Sequence, residues 1–125
     1  MQFFMSRFSE QCYALMRITV GFLFLWHGSQ KLFDFPTVSP EMPAFITYVA
    51  GPIELVAGIL VAIGFLTRPA AFVASGTMAA AYWMAHGANH LLPLVNGGEL
   101  AALYCFVFLF ISAAGGGIWS VDGND

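Results

Sequence analysis

Residues 44–69 read AFITYVAGPIELVAGILVAIGFLTRP. From Ala44 to Leu66 the stretch is apolar, with Glu54 as its only charge. A bilayer's hydrocarbon core, about 30 Å thick, takes roughly 20 such residues as a helix. The stretch therefore predicts a membrane-spanning helix. Thr67-Arg68-Pro69 then breaks the run, and proline suits the first turn of a helix because its missing N–H has no partner to lose there. A new helix is expected from about Pro69.

Outward from this pair, the same pattern repeats. Upstream, CYALMRITVGFLFLWHGSQKLF covers 12–33, and DFPTVSPEMP at 34–43 reads as a loop. Downstream, the third segment runs from 69 to about 86, and GANHLLPLVNGG separates it from a fourth over about 99–118. The expected fold is all-α: a polytopic membrane protein, a four-transmembrane-helix bundle forming one membrane domain over 1–125. Strands are not expected, because the runs are continuous and barrel strands would be only about 10 residues each. The first segment is too long for a signal-peptide core and lacks an A-x-A site, so it is read as a retained helix.

Composition agrees. The 125 residues carry 4 Lys+Arg and 7 Asp+Glu, a net charge of −3, with 9% charged and 59% hydrophobic residues and a mean hydropathy of +0.78. Soluble domains are about 25% charged, so a soluble domain, a disordered chain and a basic nucleic-acid binder are excluded. Cys12 and Cys105 form no C-x-x-C and are read as packing residues. An even number of spans puts both termini on one side. Arg7 and Arg68 fall there, opposite Asp34, Glu41 and the helix ends at Lys31 and Glu99, so the positive-inside bias places both termini in the cytoplasm.

Small residues supply packing surfaces: Ala50, Gly51, Ala57, Gly58 and Gly64 on the second helix, and Ala74, Ser75, Gly76, Ala79 and Ala80 on the third. They serve the bundle itself or the seam of a homodimer.

Ionisable groups inside a span need a reason, since each costs about 2.5–3.5 kcal/mol on insertion scales. At 100° per residue, Arg17, His27 and Lys31 fall along one side of the first helix. Lys31 alone reads as a snorkelling cation and His27 as a packing histidine. The three together read as a stripe facing the bundle interior. Glu54 lies near the midplane, where a carboxylate must be paired or protonated. Arg17 is the nearest cation by depth. The expectation is a structural Arg17–Glu54 ion pair, with a ligand-binding or proton-relaying carboxyl as the alternative. Pro52 frees the carbonyl of Tyr48 and invites a bend beside Glu54.

His86, Asn89 and His90 close the third segment and Glu99 opens the fourth, at the end shared with His27 and Lys31. Glu99 in a first helical turn also simply complements the dipole. A haem held by His27 and His86, or a metal held by His86, His90 and Glu99, lacks any supporting motif, and no metal or covalently bound cofactor is expected. Phe106, Phe108 and Phe110 read as lipid-facing bulk or as the wall of a flat ring site.

Three stretches together resemble the DoxX family of small four-helix integral membrane proteins: RITVGFLFLWHGSQKL (17–32), GPIELVAGILVAIGFLTRPAA (51–71) and NGGELAALY (96–104). The family-typical positions are Arg17, Gly21, His27, Gly28, Lys31, Glu54, Gly58, Gly64, Arg68 and Glu99. Some relatives in that family are membrane subunits of thiosulfate:quinone oxidoreductase, and others associate with thiol-redox and oxidative-stress complexes. The resemblance implies a bacterial inner-membrane protein linked to quinone and redox chemistry, with any thiol chemistry in a partner.

A quinone needs hydrogen-bond donors at its carbonyls and a proton source in an apolar pocket. His27, Lys31, Glu54, His86 and Glu99 are the candidate ligand-binding residues, and no catalytic residue is assigned. Electrons would come from a soluble or membrane oxidoreductase partner. The alternatives are a membrane scaffold for partner oxidoreductases and a small proton-coupled transporter.

Overall fold

The computed structural model describes residues 1–87 and 90–124, without the side chains of 86 and 87. After a short 3-10 turn at Phe4–Phe8, α1 spans Ser9–Phe33. A π-helical turn at Ile46–Ala50 runs directly into α2, Gly51–Ile63. The wide turns sit just before Pro52, which has no N–H to offer the Tyr48 carbonyl. Next come α3, Thr67–Ala81, with a second π-helical stretch at Tyr82–Gly87, the short α4, Pro93–Asn96, and α5, Glu99–Ala114. The described residues are all-α and contain no strand.

Each long helix buries a stripe spaced by three and four residues. On α1 it is Ala14, Arg17, Gly21, Phe24 and Gly28, and on α2 it is Gly51, Glu54, Gly58 and Val61. On α3 it includes Thr67, Ala71, Ala74 and Met78, and on α5 Tyr104, Phe108 and Ile111. That spacing keeps one face of a helix turned to its neighbours. α1 packs along α2, α3 packs along α5, and α2 touches α3. Phe24 closes the bundle from α1 onto α5, its ring 4.6 Å from Phe108 and 5.1 Å from Tyr104.

The α1–α2 crossing is close because glycines make it so. A Cβ on Gly28 would stand 2.3 Å from the Leu55 nitrogen, and one on Gly21 would stand 2.5 Å from the Ala62 nitrogen. Gly51 and Gly58 are thus engaged within the chain, against Leu32 and Leu25. Small residues allow such backbone approach.

α2 ends in a Schellman turn. Gly64 is left-handed at φ 73, its N–H reaches Leu60 and Val61, and the Phe65 N–H reaches Leu60. The fourth long helix stops at Ala114, four residues short of the expected end at 118. Gly115, Gly116 and Gly117 follow, two of them at positive φ, and glycine runs leave a helix readily.

Among the described residues one helix, Ile46–Ile63, is long and apolar enough to cross a membrane by length and composition. α5 is apolar but shorter, and α1 carries Glu10, Arg17 and Lys31 along its length. The outward faces are apolar: Val56, Ile59 and Ile63 on α2, Phe72 and Val73 on α3, and Leu103, Phe106 and Phe110 on α5 are exposed. Soluble monomers rarely expose contiguous apolar patches beyond a few hundred Å².

Candidate functional site

Glu54 occupies the inward stripe of α2, one turn beyond Gly51, and is 2% exposed. Gly28 brings the α1 backbone against Gly51 and Leu55, on either side of it. Lys31 lies three residues beyond Gly28, near the end of α1. Helical side chains lean toward their own N-terminus, so the Lys31 stem runs back along α1 toward α2. Its Nζ donates a 3.0 Å hydrogen bond to Glu54 Oε1, the one ion pair among the described residues. Glu54 Oε2 is buried and has no hydrogen-bond partner there.

This corrects the expected Arg17–Glu54 pair. Arg17 is fully buried but turned to the other end of the bundle. Its Nη1 donates to the carbonyls of Val61 and Ala62 at 2.8 and 2.9 Å, and its Nη2 to those of Trp119 and Ile118 at 2.8 and 3.4 Å. The last carbonyls of a helix lack intrahelical partners and carry negative partial charge, so a guanidinium satisfies them well. Arg17 thereby ties the end of α2 to the segment that follows α5.

Around the Lys31–Glu54 pair stand two further polar groups. His27, half-buried one turn before Lys31, meets the Tyr104 ring edge-on at 5.9 Å. Tyr104 is buried on α5 and stacked on Phe108. Tyr104 was not among the site residues expected from sequence, although it ends the NGGELAALY stretch. Its chemistry is ordinary for an aromatic core position, and only the ring contacts that α1 makes with α5 bring it to His27.

The other expected members stand elsewhere. Glu99 is exposed on the first turn of α5, where it lines a surface groove with Pro93, Leu100 and Phe106. His90 is exposed, and its Nδ1 accepts from the Leu92 N–H. The side chain of His86, and Asn89, lie outside the described residues. The site therefore consists of Lys31, Glu54, His27 and Tyr104. An ammonium, a carboxyl, an imidazole and a phenol in apolar surroundings can hydrogen-bond a polar head group and hold or pass a proton.

At the opposite end the C-terminal segment folds back on the α2–α3 turn. Val121 and Asp122 donate their N–H groups to the carbonyls of Ile63 and Gly64. The Asp122 carboxylate accepts from the N–H groups of Thr67 at 2.8 Å and Leu66 at 3.1 Å, capping α3 from across the fold. The Thr67 N–H first, with the Leu66 N–H and Arg17 adding to it, holds the Asp122 carboxyl below its ordinary range. Arg68 donates to the carbonyls of Ser112, Ala113 and Ala114, and Ser112 returns a 3.0 Å bond to the Arg68 carbonyl. A Cβ on Gly64 would stand 2.2 Å from Ser120 Cβ, so this junction has no room for a side chain.

A helical bundle with apolar outer faces and an ion pair in its interior defines a small membrane-associated protein. The chain belongs to the DoxX family: the family's sequence model matches residues 13–87. An uncharacterized protein of Haemophilus influenzae is 39% identical over 118 residues, covering 89% of this chain and 88% of that one. No solved structure matches.

Proposed function

We propose that the protein is a redox-associated subunit of the bacterial inner membrane, spanning it four times, with a quinone-type ligand bound at the Lys31–Glu54 end. The unpartnered Glu54 Oε2 beside Lys31 carries this reading. Buried polar atoms are nearly always satisfied, and an exception invites a ligand or a proton. The donor set suits a ring with two carbonyls. Lys31 Nζ has two further N–H bonds to offer, His27 stands half-buried at the rim, and Tyr104 supplies a phenol. At 2% exposure Glu54 leaves no ring-sized space against its own carboxyl. The ring therefore meets Lys31 and His27, with Glu54 behind the ammonium as the proton holder. Bound there, a quinone supplies two-electron redox chemistry, and the electrons come from an oxidoreductase partner. The apolar outer faces of α1, α2, α3 and α5 support four spans, and Arg7 and Arg68 support cytoplasmic termini.

Titration of the purified protein with a short-chain soluble quinone tests this. His27→Ala weakens binding about tenfold or more, the value of a hydrogen bond to a charged or polarised group, and Glu54→Ala weakens it through Lys31, whose ammonium loses the carboxylate that holds it in place. Absence of saturable binding would favour the second reading, a membrane scaffold for partner oxidoreductases. The near-complete burial of Glu54 supports that reading, with the pair serving as a clasp. Orientation is checked separately: a cysteine introduced at Ser39 labels from the periplasmic side, and labelling only from the cytoplasm would reverse the topology.

A further inference from the structure

Lys31 is the only lysine in the chain and lies two residues before the end of α1. Its stem can place the ammonium in either of two positions: outward at the bundle end, as lysines near helix ends do, or back over Glu54. The structure shows the second, with the Lys31 side chain still 16% exposed. Glu54 has no such choice. It sits in the middle of the helix Ile46–Ile63, with Oε1 on Lys31 and Oε2 on no hydrogen-bond partner among the described residues. A buried carboxylate cannot lose its cation while it stays charged, because an unpaired ion in apolar surroundings is far less stable than a neutral acid. A protonated carboxyl can lose it. Proton arrival and lysine departure therefore favour each other.

We propose that Glu54 is a proton-exchange site gated by Lys31. A proton from water adds to Oε2, an O–H bond forms, and the ammonium swings to the bundle end with its charge. On return of the ammonium, the proton leaves to water. The buried site is neutral in both states, because one positive charge replaces another. The titratable groups at this end of the bundle are Lys31, which pairs with Glu54, His27 one turn before it on α1, and Tyr104 on α5, whose ring meets His27. The buried residues of α3 (Thr67, Ala70, Ala71, Ala74, Ser75 and Met78) include no acid or base. This gate goes beyond the ring-binding reading and does not depend on it.

The test uses the purified full chain with no quinone present. Dicyclohexylcarbodiimide, which adds to protonated carboxyls in apolar surroundings, is applied at near-neutral pH and the adduct is located by mass spectrometry. Glu54 is modified slowly in the natural protein and in Lys31→Arg. In Lys31→Met it is modified about tenfold faster or more, since the stabilising cation is gone. Exposed Glu99 serves as the control that the reagent leaves unmodified. In a second arm, Glu54→Gln imitates the protonated acid. It raises the reaction of Lys31 with a bulky water-soluble amine reagent about tenfold, the equivalent of one unit of altered equilibrium. Equal Glu54 modification with Lys, Arg or Met at position 31 would overturn the gate. So would failure of Glu54 to react in Lys31→Met, or unchanged Lys31 labelling in Glu54→Gln. None of these outcomes depends on whether a quinone binds.

Discussion

At the end of the bundle where the C-terminal segment folds back, Arg17 meets four backbone carbonyls and, among the described residues, no carboxylate oxygen. At the other end, Lys31 meets one carboxylate oxygen whose twin has no partner. Both cations lie on the inward stripe of α1, yet they do different work. A planar guanidinium is always charged and presents a rigid fork of donors, so it can bridge two chain segments permanently. A lysine–glutamate pair can trade its cation for a proton. Arg17 acts as a fixed rivet between α2 and the C-terminal segment, and Lys31–Glu54 as an exchangeable contact.

The largest effect is expected at Arg17. Arg17→Met removes the side-chain donor of four carbonyls, of which that of Val61 keeps the Gly64 N–H, and is expected to lower stability by about 1–3 kcal/mol or more, the cost of leaving buried acceptors unsatisfied. Arg17→Lys restores little, because a point ammonium cannot span both segments. Thermal unfolding in detergent measures both. Combining Arg17→Met with Glu54→Gln should give additive losses, since the two groups share no partner. Recovery in the double variant would reinstate an Arg17–Glu54 contact.

The crossing that sets the two ends apart is tested at Gly28. Gly28→Ala puts a methyl group against the Leu55 backbone and is expected to cost about 1–3 kcal/mol as overpacking. It also weakens the Lys31–Glu54 contact by spreading α1 from α2. Gly76 on α3 has nothing within 4 Å of an added Cβ, and Gly76→Ala is expected to be neutral or to gain about 0.5–1 kcal/mol from helix propensity. Equal effects at the two glycines would remove the close crossing from the account.

The smallest effect is at Asp122. Its carboxyl is held below the ordinary range by the Thr67 N–H. Such a group stabilises the fold fully above its unfolded value, near 3.9 for aspartate. That contribution is lost as pH falls through the depressed folded value. Asp122→Asn should therefore be less stable than the natural protein at neutral pH, and the gap should close on acidification. Unfolding curves from neutral to acid pH check this, and a gap independent of pH would show that the carboxylate charge plays no part.

Several of these features are legible in the chain itself. The apolar runs mark the long helices, but the break expected at Thr67-Arg68-Pro69 comes earlier, at Gly64-Phe65-Leu66, and those three residues form the first turn of α3. Arg17, Lys31 and Glu54 stand out because ions in apolar stretches are expensive. The early end of α5 is written in Gly115, Gly116 and Gly117, but the apolar Ile118 and Trp119 beyond them disguise it. Tyr104 and Asp122 are not legible, since a core tyrosine and a tail aspartate carry no pattern of their own.

The sequence alone determined where the long helices run and that the polar stripe of α1 turns inward, because a three-and-four spacing follows from the geometry of one helix; on α5 it left buried Phe108 grouped with exposed Phe106 and Phe110. It also determined that Glu54 requires compensation. Which cation provides it was decided only by the tertiary structure. Gly28 faces Gly51 and Leu55, and Gly21 faces Gly58 and Ala62, so each step forward on α1 is a step back on α2. That register sets Arg17 beside the end of α2, roughly 10 Å or more along the axis from Glu54 at 1.5 Å per residue. It sets Lys31 within a turn of Glu54. Counting depth along each helix separately cannot find this offset, because it depends on where two glycine-lined faces come into contact.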